Sequence, residues 1–382
     1  MSTDPISYHR DHRGKIETKA KAPLKNADDL ALAYTPGVAK VCERIAEEPR
    51  EIQALTNRSN TVAIVSDGSA VLGLGNIGPE AALPVMEGKA MIFKAQADID
   101  AVPLCINTQN TEEIIQFCKH IAPSFGGINL EDIAAPKCFD ILKHLETELP
   151  IPVFHDDQDG TAIVTLAALL NAARLRESKV SELRIVVNGA GAAGIAITRL
   201  LRAYGVKDIV LVDSKGIVSS NRTDLNPYKK RIAKDSNPRA LSGDITVALK
   251  GADVFIGVSK CCILSEHMVR TMADHPIIFA MANPKPEIMP ENAHAAGAYI
   301  VGTGRSDFPN QINNALVFPG IFRGLLDAHT FPRKCVISEH MVEVKIAAAK
   351  AIAGVIEPSV DYILPDVMDP AVVPAIRGAI CA

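Results

Sequence analysis

Two pairs of adjacent carboxylates, Glu131-Asp132 and Asp156-Asp157, each follow a short apolar run: Gly127-Ile128-Asn129-Leu130 and Ile151-Pro152-Val153-Phe154-His155. At the ends of buried parallel strands they would share the carboxyl rim, where open α/β sheets bind ligands. Acids converging there repel one another unless a cation holds them. An all-oxygen set without His or Cys suits Mg²⁺ or Mn²⁺ rather than Zn²⁺. The plainer alternative is a set of solvated loop acids, with Asp157 or Asp159 capping a helix that opens near Gly160. Lys89, in Met86-Glu87-Gly88-Lys89-Ala90-Met91, lies in an otherwise apolar helical segment. It either snorkels to solvent or sits partly buried with a lowered pKa, which would suit a base; Lys94 qualifies on the same ground. Tyr34, in Ala33-Tyr34-Thr35-Pro36-Gly37, is a phenol at a turn, able to act as an acid or simply to pack.

The pattern G-x-G-x-x-G occurs twice, at Gly73 to Gly78 and at Gly189-Ala190-Gly191-Ala192-Ala193-Gly194. The second copy directly follows the strand-like run Arg184 to Asn188 and opens a helix with Ile195, Ile197, Leu200 and Leu201 on its apolar side. Asp213 ends the next strand, 19 residues after Gly194. These are the parts of a dinucleotide cradle. Gly189 and Gly191 allow a tight turn and close backbone approach, Gly194 packs the helix, and the pyrophosphate rests on free helix N–H groups at Ala192 and Ala193. Asp213 is expected to accept from the adenosine ribose hydroxyls, which favours NAD slightly. Ser214, Lys215 and Arg222 could instead offer donors to the 2′-phosphate of NADP. The first copy has Asp98 at a suitable distance downstream but is separated from its strand by Ser66 to Leu72. Pro79 and Pro84 then interrupt the region where a Rossmann helix should run. It is read as a backbone turn lining a cleft.

The elements that must position these groups alternate. Strands are predicted at Thr61 to Val65, Ala101 to Asn107, Gly127 to Asn129 and Ile151 to Phe154, with helices at Thr111 to Ile121 and Ala135 to Glu146. A strongly apolar helix, Gly160 to Leu175, adjoins a domain boundary. A second series has strands at Leu183 to Val187, Asp208 to Val212, Val254 to Val258, Ile277 to Ala280 and Ala298 to Val301. Lys215 to Pro238 is polar and turn-rich, and one C-terminal helix is expected from His340 to Ile356. The fold class is therefore α/β. An N-terminal α/β domain with a parallel-type sheet (residues 1–157) carries substrate and metal. A Rossmann-like dinucleotide-binding domain with a helical tail follows (residues 158–382).

Composition narrows the function classes. The chain has 382 residues, 48% hydrophobic and 22% charged, enough for two well-filled cores. A net charge of -4, without long like-charge runs, argues against nucleic acid and membrane partners and leaves small molecules. No signal-peptide core opens the chain, and Ala162 to Leu170 is about half the length of a bilayer span. Eight cysteines without a C-x-x-C pair suit small buried hydrophobes in a reducing cytoplasm.

Together the segments resemble malic enzyme, in its short form, from about Ala22 to about Gly324. The motifs are Leu32-Ala33-Tyr34-Thr35-Pro36-Gly37-Val38-Ala39, Ser66-Asp67-Gly68-Ser69, Leu72 to Gly78, Glu87-Gly88-Lys89 and Asn129-Leu130-Glu131-Asp132. They continue with His155 to Ala162, Ala282-Asn283-Pro284 and Asn313-Asn314-Ala315-Leu316-Val317-Phe318-Pro319-Gly320. The resemblance implies oxidative decarboxylation of (S)-malate to pyruvate and CO₂ with reduction of NAD(P). It implies Glu131, Asp132 and Asp157 as metal ligands, Lys89 as base toward the C2 hydroxyl, and Tyr34 as acid toward C3. Asp156 would assist proton traffic. Asn283 and Asn314, with Asn313 beside them, would bind substrate carboxylate or nicotinamide. A homodimer or higher homo-oligomer and a cytoplasmic setting are implied, and the lack of a phosphotransacetylase-like extension points to the stand-alone type.

One departure concerns the far malate carboxylate: Ala70 stands where the long eukaryotic form has an arginine. Lys94, the Gly73 to Gly78 amides, or a residue from a neighbouring subunit are the candidates to neutralise it. Two other functions compete. Non-oxidative decarboxylation of oxaloacetate, or of malate to lactate, would use the same acids, but the intact Gly189 turn favours net NAD(P) reduction. A non-catalytic dinucleotide-binding protein would be expected to have lost Lys89 or the acids, and it has not.

Overall fold

The computed structural model describes residues 4–71, 73–330 and 341–381. Leu72 before the first glycine turn, Cys335, and His340 at the expected start of the C-terminal helix lie outside them. Two sheets form. The first joins β1 (Thr61–Ser66), β2 (Asp100–Cys105), β3 (Gly127–Leu130) and β4 (Val153–His155) in the order β2-β1-β3-β4, all parallel. The second joins β5 (Arg184–Asn188), β6 (Asp208–Asp213), β7 (Gly216–Ile217), β8 (Val254–Gly257), β9 (Ile277–Ala280) and β10 (Ile300–Thr303) in the order β10-β9-β8-β5-β6-β7. Only β7 runs antiparallel, against β6. Strands β1, β8 and β9 are buried throughout, as sheets covered on both faces require. The chain leaves β5 first toward β6 and then crosses to β8. The carboxyl end of β5 is thus the switch point where a crevice opens.

Helices cover the sheets, and those at the C-terminus reach back to the first one. Phe318 and Phe322, on the helix Phe318–Thr330, pack their rings 4.7 and 5.4 Å from Phe93, and Phe322 lies 5.9 Å from Phe154. Arg323 on the same helix donates to Asn60 Oδ1 at 2.7 Å, just before β1. The helix Val372–Cys381 then packs on Phe318–Thr330 with almost no space between. A Cβ on Gly320 would sit 2.6 Å from Ile376, and one on Gly324 2.8 Å from Ile380.

Several elements differ from expectation. A 19-residue helix, Pro79–Ala97, follows the first glycine turn despite its prolines. Pro79 occupies the first position, where no N–H is needed, and Pro84 forfeits one bond close to that end. Within the polar stretch after Lys215 lies the helix Pro227–Asp235, opened by Asn226 accepting from Lys229 N at 2.9 Å. The C-terminal part holds Phe318–Thr330 and Val372–Cys381 besides Met341–Ala353. Of the described cysteines, Cys118 and Cys138 are buried while Cys42, Cys261 and Cys262 are exposed, so the expectation of buried thiols holds only in part. Among the described residues no helix is long and apolar enough to cross a membrane.

Candidate active site

Both acidic pairs do sit at strand ends on one rim. Glu131 and Asp132 follow β3, and Asp156 and Asp157 follow β4, which lies parallel beside it. Asp132 takes a left-handed backbone at φ 53°, uncommon for a residue with a Cβ. Asp156 to Gly160 wind as a single π-helical turn before the buried helix Thr161–Leu175. The two turns are stitched together where Asp132 N donates to Asp157 Oδ2 at 2.8 Å; within the first, Asn129 Nδ2 donates to Glu131 Oε2 at 2.9 Å. Carboxylate oxygens of Glu131, Asp132 and Asp157 lie within 4.8 Å of one another. Asp132 Oδ2 and Asp156 Oδ1 are buried without a hydrogen-bond partner among the described residues.

Burial raises the pKa of all four acids. For Asp132 burial, with the charges of Asp157 and Glu131 added, pushes it up to about 9; Glu131, Asp156 and Asp157 move the same way. Such a set is costly as a bare protein cluster. It fits a hard divalent cation bound through oxygen. The neighbouring His155, fully buried, is lowered to about 4 by burial and is neutral.

Among the described residues Lys89 is the one cation in contact with these acids. Its side chain is 7% exposed, and its ammonium bonds Asp156 Oδ2 and lies 3.0 Å from Glu131 Oε2. The Phe318 ring lies 3.8 Å from Nζ, a cation–π contact. Burial alone would lower its pKa, but Asp156 and Glu131 outweigh that and raise it above the ordinary lysine value. The expected lowering is therefore reversed here, because both partners reach Lys89, on the helix Pro79–Ala97, from the turns that follow β3 and β4.

The Gly189 turn takes the form of a cradle. At Gly189, φ is 120° and a Cβ would sit 2.6 Å from the Val258 carbonyl. A Cβ on Gly194 would lie 1.7 Å from the Gly189 carbonyl, whereas one on Gly191 meets nothing within 4 Å. Tight turn, close packing and an open face for a ligand thus fall on the three glycines. Ala192 and Ala193 open the helix Ala192–Tyr204. Asp213 ends β6, yet it is not a free acceptor: Arg222, Lys229 and the Lys215 amide occupy it.

Other expected residues are brought in unevenly. A Cβ on Gly160 would meet both Asp156 and Asn314, so Asn314 borders the cluster. Asn313 spends its Oδ1 capping the turn Asn314–Leu316, accepting from Ala315 N at 2.9 Å. Asn283 borders the first glycine turn, since a Cβ on Gly73 would lie 3.5 Å from its carbonyl. Lys94 is not in the site: its ammonium is exposed and pairs with Asp98 and, at 3.0 Å, with Asp100. That removes it as the neutraliser of a substrate carboxylate. Tyr34 is 67% exposed, and no hydrogen bond joins it to Lys89 or the acids. Sequence reasoning missed Phe318, Lys229 and the buried Asp67, which bonds Lys137 and fixes the loop before the first glycine turn.

Comparison with known proteins agrees with this layout. Residues 13–146 match the family model "Malic enzyme, N-terminal domain", and residues 158–373 match "Malic enzyme, NAD binding domain". A bifunctional malic/malolactic enzyme of Bacillus subtilis is 53% identical over 100% of this chain and 92% of its own. An NAD-dependent malic enzyme of Geobacillus stearothermophilus is 55% identical over 96% of this chain and 76% of its own. The crystal structure of an NAD-dependent malic enzyme from Thermotoga maritima is 51% identical, covers both chains fully and superposes with a TM-score of 0.94. With its two sheets, its carboxylate rim and its glycine cradle, this chain belongs to the malic enzyme family.

Proposed function

We propose that this chain oxidatively decarboxylates (S)-malate to pyruvate and CO₂ with NAD(P) as hydride acceptor. The observation that carries this is Lys89, buried between Asp156 and Glu131 on the rim shared with Asp132 and Asp157. Residues 1–157 supply most of the substrate side and residues 158–382 the dinucleotide side, with Phe318 crossing back to Lys89. Glu131, Asp132 and Asp157 would hold Mg²⁺ or Mn²⁺, which when bound supplies Lewis acidity toward the C2 oxygen and the enolate left as CO₂ departs. The Gly189 to Gly194 cradle would hold the dinucleotide that takes the hydride from C2.

The chain's own groups handle the protons. Lys89, as the neutral amine left once its ammonium has given a proton to solvent by way of Asp156, takes the C2 hydroxyl proton as the carbonyl forms. Its pKa is raised by the same carboxylates a divalent cation would neutralise, so its proton is released most easily in the loaded site. Asp156, in contact with Lys89, passes that proton on through its unpartnered Oδ1. Asn283 and Asn314, with Asn313 beside them, orient substrate carboxylate and nicotinamide. With Lys94 engaged elsewhere, and the Leu74, Gly75, Ile77 and Gly78 amides already bonded to the Val71 and Gly68 carbonyls, the Gly73 and Asn76 amides and a residue of a second copy are left as candidate donors to the far carboxylate.

Tyr34 is the acid for C3. Its exposure, together with that of Leu30 and Leu32 nearby, supports a homodimer in which Tyr34 serves the site of the second copy. The free cysteines suit a cytoplasmic setting. A second reading, malate to lactate, has one specific support, the name of the Bacillus subtilis relative.

Lys89→Ala tests the central assignment. Turnover should fall at least about hundredfold, the usual contribution of general acid–base catalysis, while NAD(P) affinity stays near normal. A variant retaining most of the wild-type rate would remove Lys89 from the mechanism.

A further inference from the structure

Two adjacent cysteines, Cys261 and Cys262, lie in a turn after β8, and no step of the malate chemistry uses them. Both are free thiols and exposed. Strand β8 pairs with β5, so its carboxyl end borders the crevice of the Gly189 turn. Asn188 Nδ2 donates to Ser259 Oγ at 2.6 Å, and a Cβ on Gly189 would lie 3.1 Å from Ser259 Cβ. The cysteine pair follows just past this wall of the cradle.

The same turn is tied to the loop after β9, which carries Asn283. Cys262 N donates to the Pro286 carbonyl at 3.2 Å, and Leu264 N to the Glu287 carbonyl at 3.1 Å. The buried Glu287 carboxylate joins the two loops again, accepting from Ser259 N at 3.1 Å and Ala282 N at 3.0 Å. Cys262 takes a left-handed backbone at φ 60°, sparsely populated for a residue with a Cβ, so its place depends on these contacts.

Neighbouring Cα atoms across a trans peptide lie about 3.8 Å apart, less than the usual disulfide span of about 4.4–6.8 Å. A bond between adjacent cysteines therefore closes a strained, easily reduced ring, which suits a reversible site rather than a structural bond. Cations favour the reactive thiolate. Lys260 adjoins Cys261 in the chain, and the charge of Lys285 reaches Cys262. The Cys262 thiol, hydrogen-bonded to Cys261, is pushed above its ordinary pKa, so it keeps its proton and leaves the first attack to Cys261.

We propose that Cys261 and Cys262 form a reversible dithiol site for low-molecular-weight disulfides, and that closing it weakens dinucleotide binding. The Cys261 thiolate attacks one sulfur of the incoming disulfide and expels the other as a thiolate. The Cys262 sulfur, giving up its proton, then attacks the Cys261 sulfur of the mixed disulfide and expels the second thiolate. The two cysteines are oxidised to one disulfide, and the incoming disulfide is reduced to two thiols. Drawing the neighbouring sulfurs together turns the Cys261–Cys262 peptide and breaks the bond from Cys262 N to Pro286, on which the Asn283 loop leans. The exchange stands apart from the malate chemistry, while its effect on binding rests on the Gly189 turn as a dinucleotide cradle.

The full chain, incubated with glutathione disulfide and digested with trypsin without reductant, is read by mass. The tryptic peptide Cys261–Arg270 carries both sulfurs and no other cysteine. It should appear short of two hydrogens, and a dithiol reductant should restore them. Cys262→Ser should instead trap the glutathione adduct on Cys261. Titration of the intact samples with NAD and with NADP should show Kd rising about threefold to tenfold on oxidation, the worth of one hydrogen bond, and returning on reduction. The double variant Cys261→Ser, Cys262→Ser should bind equally before and after the oxidant. A peptide that keeps both thiols free, or takes up two glutathiones, would overturn the dithiol site. An unchanged Kd in the closed form, or an equal rise in the double variant, would overturn the coupling. A reduced chain that binds neither dinucleotide would overturn the cradle and the coupling with it, while the peptide mass still decides the exchange.

Discussion

Four carboxylates around one buried ammonium leave an excess of negative charge that the protein alone does not balance, and this imbalance defines the site at the residue scale. Asp157 is the acid that ties the two rim turns together, through Asp132 N. Asp157→Asn should weaken Mn²⁺ binding by an order of magnitude or more. Metal at a hundred times its Kd stabilises the folded state by about 2.7 kcal/mol, and a tenfold weaker variant should lose about half of that shift in thermal melts with and without Mn²⁺. An unchanged melting response would take Asp157 out of the ligand set. The acids were legible in the sequence because each pair directly follows an apolar run, which marks a strand end. The state of Lys89 was not legible, since its partners lie 67 residues away at Asp156 and beyond the end of β3 at Glu131. Asp213 was legible as a position at the end of β6 but not as a closed ion pair, because Lys229 arrives on a helix hidden in polar sequence.

Elements were legible where burial makes their pattern continuous. The helix Thr111–Ile121 and the strand Ile277–Ala280 fall where their apolar spacing puts them. The helices Phe318–Thr330 and Val372–Cys381 were not read, because Gly320, Gly324, Pro374 and Gly378 break their apparent helix propensity. The structure shows what two of those glycines do: they let the C-terminal helix approach through Ile376 and Ile380. Gly320→Ala should therefore cost about 1–3 kcal/mol by overpacking, measured by denaturant unfolding. Gly378→Ala meets nothing within 4 Å and should instead stabilise by about 0.4–1 kcal/mol. A neutral Gly320→Ala would mean that the interface is looser than described. Because Phe318 belongs to the same helix, loosening it should also reduce turnover through Lys89.

Across the whole molecule, the two-sheet layout with a cofactor crevice at the end of β5 was legible from the alternation of strands and helices and from the Gly189 turn. The placement of Tyr34 was not, because a phenol at a turn reads the same in sequence whether it packs inside its own chain or lies exposed, as it does here. If Tyr34 acts across a symmetric interface, Lys89→Ala and Tyr34→Phe chains co-expressed and purified together should recover turnover that neither variant shows alone. Recovery no greater than the sum of the separate variants would place Tyr34 in its own chain's site or outside catalysis. The central claim, a malate oxidation coupled to loss of CO₂, is tested most directly by product stoichiometry. The wild-type enzyme with (S)-malate, Mn²⁺ and either dinucleotide should form pyruvate, CO₂ and reduced cofactor in equal amounts. Chelating the metal should stop all three together. Lactate and CO₂ without accumulation of reduced cofactor would contradict the account and favour the malolactic reading.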